Sequence, residues 1–305
     1  MIKEEIMQVL PKRLQNIVDG ELADWNQLQE IRLRVDRPMA LCVKGMKRLP
    51  NQNGQVVSRK EFREVLEYIS RYSLYAFEEE IKRGFLTIPG GHRIGLAGQV
   101  VAENGKVKTM KHISFLNIRI AHEIKGCANP VMPYLFEKGE FLSTLIVSPP
   151  GAGKTTLLRD IIRQVSSGGK MFIERTVSVI DERSEIAGSY LGKPTKDVGI
   201  HCDVLDACTK AEGISMMLRS MAPEVIAVDE IGMREDFEVL QMALTTGCSL
   251  LTTIHGSSMK QLREKPLLQR MFAEKMFQRI IFLGKQSAPG EIRKIYDGKG
   301  QVLCG

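Results

Sequence analysis

Aromatic residues make up only 6% of this 305-residue chain. Few side chains are therefore available for stacking on nucleobases, and no single-strand-binding signature accompanies them, so nucleic acid is not expected as a partner. Long apolar runs are also missing: none approaches the ~20 residues that cross a bilayer. The six cysteines, Cys42, Cys127, Cys202, Cys208, Cys248 and Cys304, form no C-x-x-C pair of the zinc or redox kind. Scattered in this way they read as reduced packing residues of a cytosolic protein. The opening MIKEEIMQVL carries acids where a signal peptide is basic, and no cleavage pattern follows. A cytoplasmic location is expected, with any membrane contact made through a partner. Internal repeats, low-complexity tracts and blocks of five or six like charges are absent as well.

Hydrophobic residues make up 43% of the chain, enough for one large core or two moderate ones. Lys and Arg number 43 against 36 Asp and Glu, a formal charge of +7. That surplus suits phosphates, nucleic acid or an anionic membrane, but it is spread thinly along the chain. Two domains are expected: a smaller α+β domain over 1–130 and an α/β domain over 131–305.

In the first domain, EIRLRVDRPMALCVKG alternates apolar and polar residues around a proline, and QNGQVV follows with an Asn-Gly hairpin signal. Phe62, Val65, Leu66, Ile69 and Tyr72 fall at three- and four-residue steps, which predicts a helix from about Arg59 to Lys82. FLTIPGGHRIGLAGQVV and ENGKVK read as strand, turn and strand. ANPVMPYL is a linker or a helix start.

In the second domain, short apolar runs alternate with amphipathic ones. STLIVS, TVSVID, EVIAVDE, SLLTTIH and RIIFL read as strands. KTTLLRDIIRQV, AEGISMMLRSM, REDFEVLQMALTTG and KQLREKPLLQRMFAEK read as helices, and EIRKIYDGKGQVL as a closing hairpin. Apolar strands between helices are the pattern of a buried parallel sheet.

SPPGAGKTT, residues Ser148, Pro149, Pro150, Gly151, Ala152, Gly153, Lys154, Thr155 and Thr156, joins the first of these strands to the first of these helices. Such a loop aims backbone N–H groups at one point, and the helix N-terminus adds partial positive charge. A polyphosphate fits that concavity. Lys154 can reach β- and γ-phosphates, and the Thr155 hydroxyl can ligate Mg²⁺. The usual pattern, G-x-x-x-x-G-K-[ST], has Gly where this chain has Ser148. EVIAVDE ends a strand on Asp229 and Glu230: the first suits organisation of Mg²⁺, the second polarisation of an attacking water. ATP and Mg²⁺ are the expected ligands. TVSVID lies between these two motifs in sequence. An added central strand, with a glutamate beside the magnesium acid, marks the ASCE division of P-loop NTPases.

VIDERSEI ends a strand with Asp181, Glu182 and Glu185; Arg219 precedes the acidic strand; LLTTIH leaves His255 at a strand tip. In this order the four motifs resemble the secretion ATPase superfamily, which includes the type II and type IV secretion and pilus motors. The fold class so implied is α/β: a RecA-like, ASCE P-loop domain with a smaller α+β N-terminal domain. Those motors have Gly-Glu at the acidic strand tip, where this chain has Asp-Glu, and Glu-Asp where it has Asp181-Glu182. The roles of Asp181, Glu182 and Glu230 are therefore left undivided at this point.

EIRLRVDRPM, PGGHRIGLAG, SFLNIRIAHEIKG and SPPGAGKTTLLRD together resemble the stage III sporulation AA family of endospore-forming bacteria. That resemblance implies a mother-cell ATPase associated with the membrane proteins of a sporulation channel complex. The resemblance to the secretion motors implies a homohexameric ring and arginines donated to the nucleotide phosphates by the first domain. Arg93 and Arg119 are the main candidates, and Arg32 and Arg34 are the weaker ones. Arg219 has two possible places, at its own site or facing a neighbouring subunit. A nucleic-acid-associated ATPase and a nucleotide-gated scaffold with little turnover are the alternatives to a motor.

Overall fold

A computed structural model of the chain describes residues 2–50, 55–70, 78–103, 105–169, 172–284 and 290–305. They form two units, Met1–His122 and Glu123–Gly305.

The first unit opens with helices α1 (Ile2–Met7) and α2 (Lys12–Glu21). Strands β1 (Leu28–Arg34), β2 (Ala40–Val43) and β3 (Met46–Arg48) follow, then helices α3 (Arg59–Ile69) and α4 (Glu78–Arg83). Strands β4 (Phe85–Ile88), β5 (His92–Glu103) and β6 (Lys106–Arg119) complete a six-stranded sheet of order β3-β2-β1-β6-β5-β4. All its pairings are antiparallel. Successive strand residues face opposite sides, so Ile31, Leu33, Ile94, Leu96, Leu116 and Ile118 bury one face with Leu14 and Val18 of α2 and Phe62 and Val65 of α3. Each such side chain contributes about 1.5–3 kcal/mol of burial. The opposite face carries Glu30, Arg32, Arg34, Arg93, Asn117 and Arg119, in register as Glu30 opposite Arg119 and Arg119 opposite Arg93.

The helix expected from Arg59 to Lys82 is shorter: α3 stops at Ile69, and Ser70 leaves helical geometry with ψ of 2°. Residues 71–77 and the Asn-Gly at 53–54 lie outside the described residues. The start of α3 is set by a capping box, in which Ser58 and Glu61 each bond the other's backbone N–H. Arg13 of α2 also grips Glu61, with Nη2 2.8 Å from Oε2. The Arg13 guanidinium, followed by the Ser58 contacts, overcomes burial and holds the Glu61 carboxyl down at about 2. A depressed carboxyl contributes its full stability above the ordinary value of 4.5 and loses it as pH falls toward 2. Glu61→Gln is therefore expected to cost about 1–2 kcal/mol at neutral pH. The cost should disappear near pH 2. Thermal unfolding of wild type and variant across pH 2–7 checks this, and a gap that stays constant with pH contradicts it.

The second unit begins with a two-stranded ribbon, β7 (Phe136–Glu137) and β8 (Glu140–Phe141). Strand β9 (Thr144–Ser148) leads to α5 (Lys154–Ser167), followed by β10 (Val177–Asp181) and β11 (Cys202–Asp206). Next come α6 (Lys210–Ser220), β12 (Val225–Val228), α7 (Arg234–Thr245) and β13 (Ser249–His255). Helices α8 (Met259–Glu264) and α9 (Pro266–Ala273) precede β14 (Arg279–Leu283), β15 (Ile292–Asp297) and β16 (Val302–Cys304). The sheet order is β11-β10-β12-β13-β9-β14-β15-β16, parallel from β11 through β14 and antiparallel beyond.

Every residue of β9 and β12 is buried, because helices cover both faces. Ile146, Val179, Ala227 and Leu251 pack with Leu158 and Ile162 of α5 on one side. Leu145, Val147, Ile226 and Leu250 pack with Phe237 and Leu240 of α7 on the other. The strand separating β9 from β12 in space is β13, which follows both in sequence. TVSVID, as β10, lies on the far side of β12. The single helix expected over KQLREKPLLQRMFAEK is two helices. Pro266 has no N–H to continue α8, and Lys265 before it is extended, with ψ of 119°. Strand β11 carried no clear apolar signal, since its residues are all only half-buried. The segment 123–130 belongs to the second unit, where the Ala128 N–H donates to Asp160 of α5 at 2.8 Å.

Candidate active site

The sheet order brings four strand ends together. Strand β9 stops at Ser148, and the pairing of β13 with β9 places His255 opposite Ser148. Strand β12 ends beside β13, so Asp229 and Glu230 emerge next to the loop that joins β9 to α5. Ser148 is fully buried; its hydroxyl donates to the Pro149 carbonyl and its own carbonyl accepts from the Gly256 N–H. It keeps a negative φ, so serine meets no steric penalty at the position where the usual pattern has glycine. The left-handed conformations fall instead on Gly151 (φ 76°) and Gly153 (φ 88°), where glycine is the residue without a Cβ cost. Helix α5 begins at Lys154 with no side-chain cap, and its first N–H groups have no intrahelical partner.

Lys154 is only 7% exposed, and its ammonium lies 2.9 Å from Glu230 Oε1 and 3.2 Å from Asp229 Oδ1. The Thr155 hydroxyl donates to Asp229 Oδ2 at 2.9 Å. Asp229 Oδ1 also accepts from the Thr253 hydroxyl and from the Glu230 N–H. His255 Nε2 lies 2.8 Å from Glu230 Oε1, and Arg183 Nη1 lies 3.2 Å from Glu230 Oε2. Burial works to raise the Glu230 carboxyl. The Lys154 ammonium, and after it His255, outweigh that, so the group stays below the ordinary carboxylate range. Glu230 also holds a left-handed backbone, φ 49°, a strained conformation for a residue with a Cβ. Its N–H is fixed by Asp229 and Thr253.

The acids at the end of β10 and just beyond it have different surroundings. The Asp181 side chain is buried: Oδ1 accepts from the Glu185 N–H, and Oδ2 accepts from the N–H groups of Ile186 and Ala187. Burial pushes the Asp181 carboxyl up to about 6, and those three N–H groups pull against it. Arg159, buried on α5, binds the same turn from the other side, donating to the carbonyls of Ile186 and Glu185. The 181–187 turn is thereby held through both its donors and its acceptors, and Asp181 has the place of a turn organiser. Glu182 is half-exposed and pairs with Lys210 at 2.6 Å. Asp181, Glu182, Arg183, Glu185, Asp229, Glu230 and His255 line one cavity of about 620 Å³.

Arg219 is not in that lining; its guanidinium donates to the Ser215 carbonyl on its own helix. Arg93 and Arg119 lie in the first unit, on neighbouring strands. Arg93 stacks over Phe85 at 3.5 Å, and Arg119 is 3.7 Å from Glu30. Arg32 pairs with the same Glu30 at 2.8 Å. Thr253, Arg183, Arg159 and Lys210 were not singled out from the sequence. A threonine in the buried middle of a strand, and an arginine and an aspartate on the apolar side of KTTLLRDIIRQV, were the available signals: buried polar groups need partners.

The residues present fit a nucleotide with a hard divalent cation. A buried ammonium, an uncapped helix start and a Thr-Asp pair of oxygen donors stand within a few ångström of one another. Strand order, loop and acids define an α/β P-loop fold of the RecA-like, ASCE kind. The family model described as "Sporulation stage III, protein AA" matches residues 1–303, and the chain belongs to that family. A relative named stage III sporulation protein AA, from Bacillus subtilis (strain 168), is 44% identical over 98% of this chain and 96% of its own length. Among solved structures, the Legionella pneumophila ATPase DotB superposes with a TM-score of 0.64 at 15% identity, covering 95% of this chain and 81% of its own. The pilus retraction motor PilT with bound ADP gives 0.59 at 18% identity, covering 89% and 78%. At such identities the shared property is the fold.

Proposed function

We propose that the chain hydrolyses ATP to power or assemble a secretion-like channel during endospore formation, working as a homohexameric ring. The observation carrying this reading is the Lys154 ammonium, buried between Asp229 and Glu230 with Thr155 bonded to the same aspartate. Lys154 and the backbone of Ser148 to Thr156 bind the phosphates. Thr155 and Asp229 would hold Mg²⁺, which would supply neutralising charge to the phosphate oxygens. Glu230 orients a water and takes its proton as the water oxygen bonds to the γ-phosphorus; the bond from that phosphorus to the bridging oxygen breaks, giving ADP and inorganic phosphate. His255 holds Glu230 in place. Thr253 orients Asp229, and Asp181 with Arg159 shapes the adjoining turn. On this reading the ring works in the mother-cell cytoplasm and meets the membrane through channel proteins. Among the described residues no helix is long and apolar enough to cross a membrane.

The ring reading is tested by measuring hydrolysis against protein concentration, with mass determined with and without ATP. Assembly on ATP, with turnover confined to the assembled form, is the expected result; full turnover by a monomer excludes a ring site. Arginines given to a neighbour's phosphates make a second expectation. Arg119→Ala or Arg93→Ala should lower hydrolysis by ~10-fold or more, the scale of a charge-assisted hydrogen bond, and spare nucleotide affinity more. Mixing the responsible variant with Lys154→Ala should restore part of the activity, because one subunit then supplies the lysine and its neighbour the arginine. Normal hydrolysis by both variants would remove arginine donation from the proposal.

A further inference from the structure

Arg183 is the one guanidinium in contact with the proposed water-activating acid among the described residues, and the reaction as assigned above does not use it. It stands on the turn after β10, and β10 pairs with β12 so that Ile180 lies opposite Val228. The residues that follow each strand are thereby neighbours across the sheet end. The Glu230 carboxylate is divided between its contacts. Oε1 takes Lys154 and His255, whereas Oε2 takes Arg183. The arginine is therefore on the side of the acid away from the P-loop lysine, and it lines the cavity of about 620 Å³ with Glu182, Lys210 and Lys265.

The turn it stands on is held on its C-terminal side, and its side chain is largely in solvent, with Glu230 as its one contact there among the described residues. Asp181 and Arg159 hold the backbone from Glu185 to Ala187, and the hydroxyl of Ser184, itself left-handed at φ 54°, donates to Asp206 at 2.6 Å. The Arg183 side chain is 63% exposed. A guanidinium with a solvated head can exchange one anionic partner for another at little cost, and its planar fork suits phosphate oxygens as well as carboxylate.

We propose that Arg183 is a phosphate-binding residue acting in cis: it leaves Glu230 Oε2 for the terminal phosphate of ATP in its own subunit. This rests on the nucleotide reading above. The exchange does two things at once. It adds a charge-assisted bond to the phosphoryl group that is transferred, and it opens Glu230 Oε2, now covered by the guanidinium, to a water. Only a nucleotide carrying a third phosphate draws the arginine away, so the contact distinguishes ATP from ADP.

The test compares wild type, Arg183→Ala and Arg183→Lys in the full chain, each confirmed folded by thermal unfolding. Binding of ADP alone and of ADP with beryllium fluoride, a mimic of the third phosphate, is measured by titration calorimetry beside hydrolysis. Arg183→Ala is expected to bind ADP within about twofold of wild type and the fluoride complex ~10-fold or more weakly, one charge-assisted bond being lost. Arg183→Lys should recover part of the difference. Equal affinity of wild type and Arg183→Ala for the fluoride complex overturns the proposal, as does an equal weakening for both ligands, which marks a merely structural arginine. A wild type that binds neither ligand overturns the nucleotide reading itself, and this proposal with it.

Discussion

Lys154→Ala is expected to lower ATP affinity by ~10²-fold or more, since it deletes charge-assisted bonds to two phosphates. The structure adds a second reason. The ammonium now lies between two carboxylates, 2.9 Å from Glu230 and 3.2 Å from Asp229. Without it, incoming phosphates meet those two anions uncompensated, so an attraction is lost and a repulsion is exposed. Glu230 also loses the strongest of the influences that hold its carboxyl low, so burial then works on it with less opposition. The fold should survive, because position 154 opens α5 and alanine is the best helix former. Titration calorimetry with ATP, alongside thermal unfolding, checks both halves. A folded variant with unchanged ATP affinity would end the P-loop assignment.

Glu230→Gln is expected to separate binding from chemistry, with ATP still bound and turnover reduced by ~10²–10⁴-fold, the range of general-base effects. The amide keeps the size of the side chain, and its carbonyl oxygen can still accept from Lys154 and His255. It has no basic oxygen left to take a proton from water. Single-turnover hydrolysis, with ATP affinity measured in parallel, is the decisive pair of readings. Normal turnover would move the role to another acid, and the geometry narrows that choice. Asp181 has its oxygens committed to three backbone N–H groups, and Glu182 is paired with Lys210 on the wall of the same cavity.

Several features were legible in the sequence because their physics is local. SPPGAGKTT carries its own conformational demands: two glycines that turn out left-handed, and a lysine and threonine that open a helix. Apolar runs such as LIV in β9 and VIAV in β12 mark buried parallel strands, because helices cover both faces. Alternation in EIRLR likewise separates a buried Ile31–Leu33 face from a polar one. Pro266 is an equally local signal: its missing N–H is enough to split α8 from α9.

Other features could not be read along the chain. That β13 inserts between β9 and β12 depends on pairings between residues about a hundred positions apart, as in Thr252 with Leu145. Neither strand's composition specifies its neighbour. The same insertion brings Thr253 to Asp229 and His255 to Glu230, contacts that have no signature at either end. Three acids at and beyond the end of β10 look alike in DERSEI, yet Asp181 is consumed by backbone N–H groups, because only a carboxylate at the strand end meets the turn folding back over it.

The sequence by itself determined the α/β class, the strand-loop-helix at Ser148 to Thr156 and the place of Asp229 and Glu230 together at one strand tip. Each of these depends on residue types within a few positions of one another. Tertiary structure alone decided which acid stands beside Lys154, which acid organises a turn, and that Arg183 reaches Glu230. Those outcomes depend on which strands lie side by side, and strand order is set by burial summed over the whole sheet.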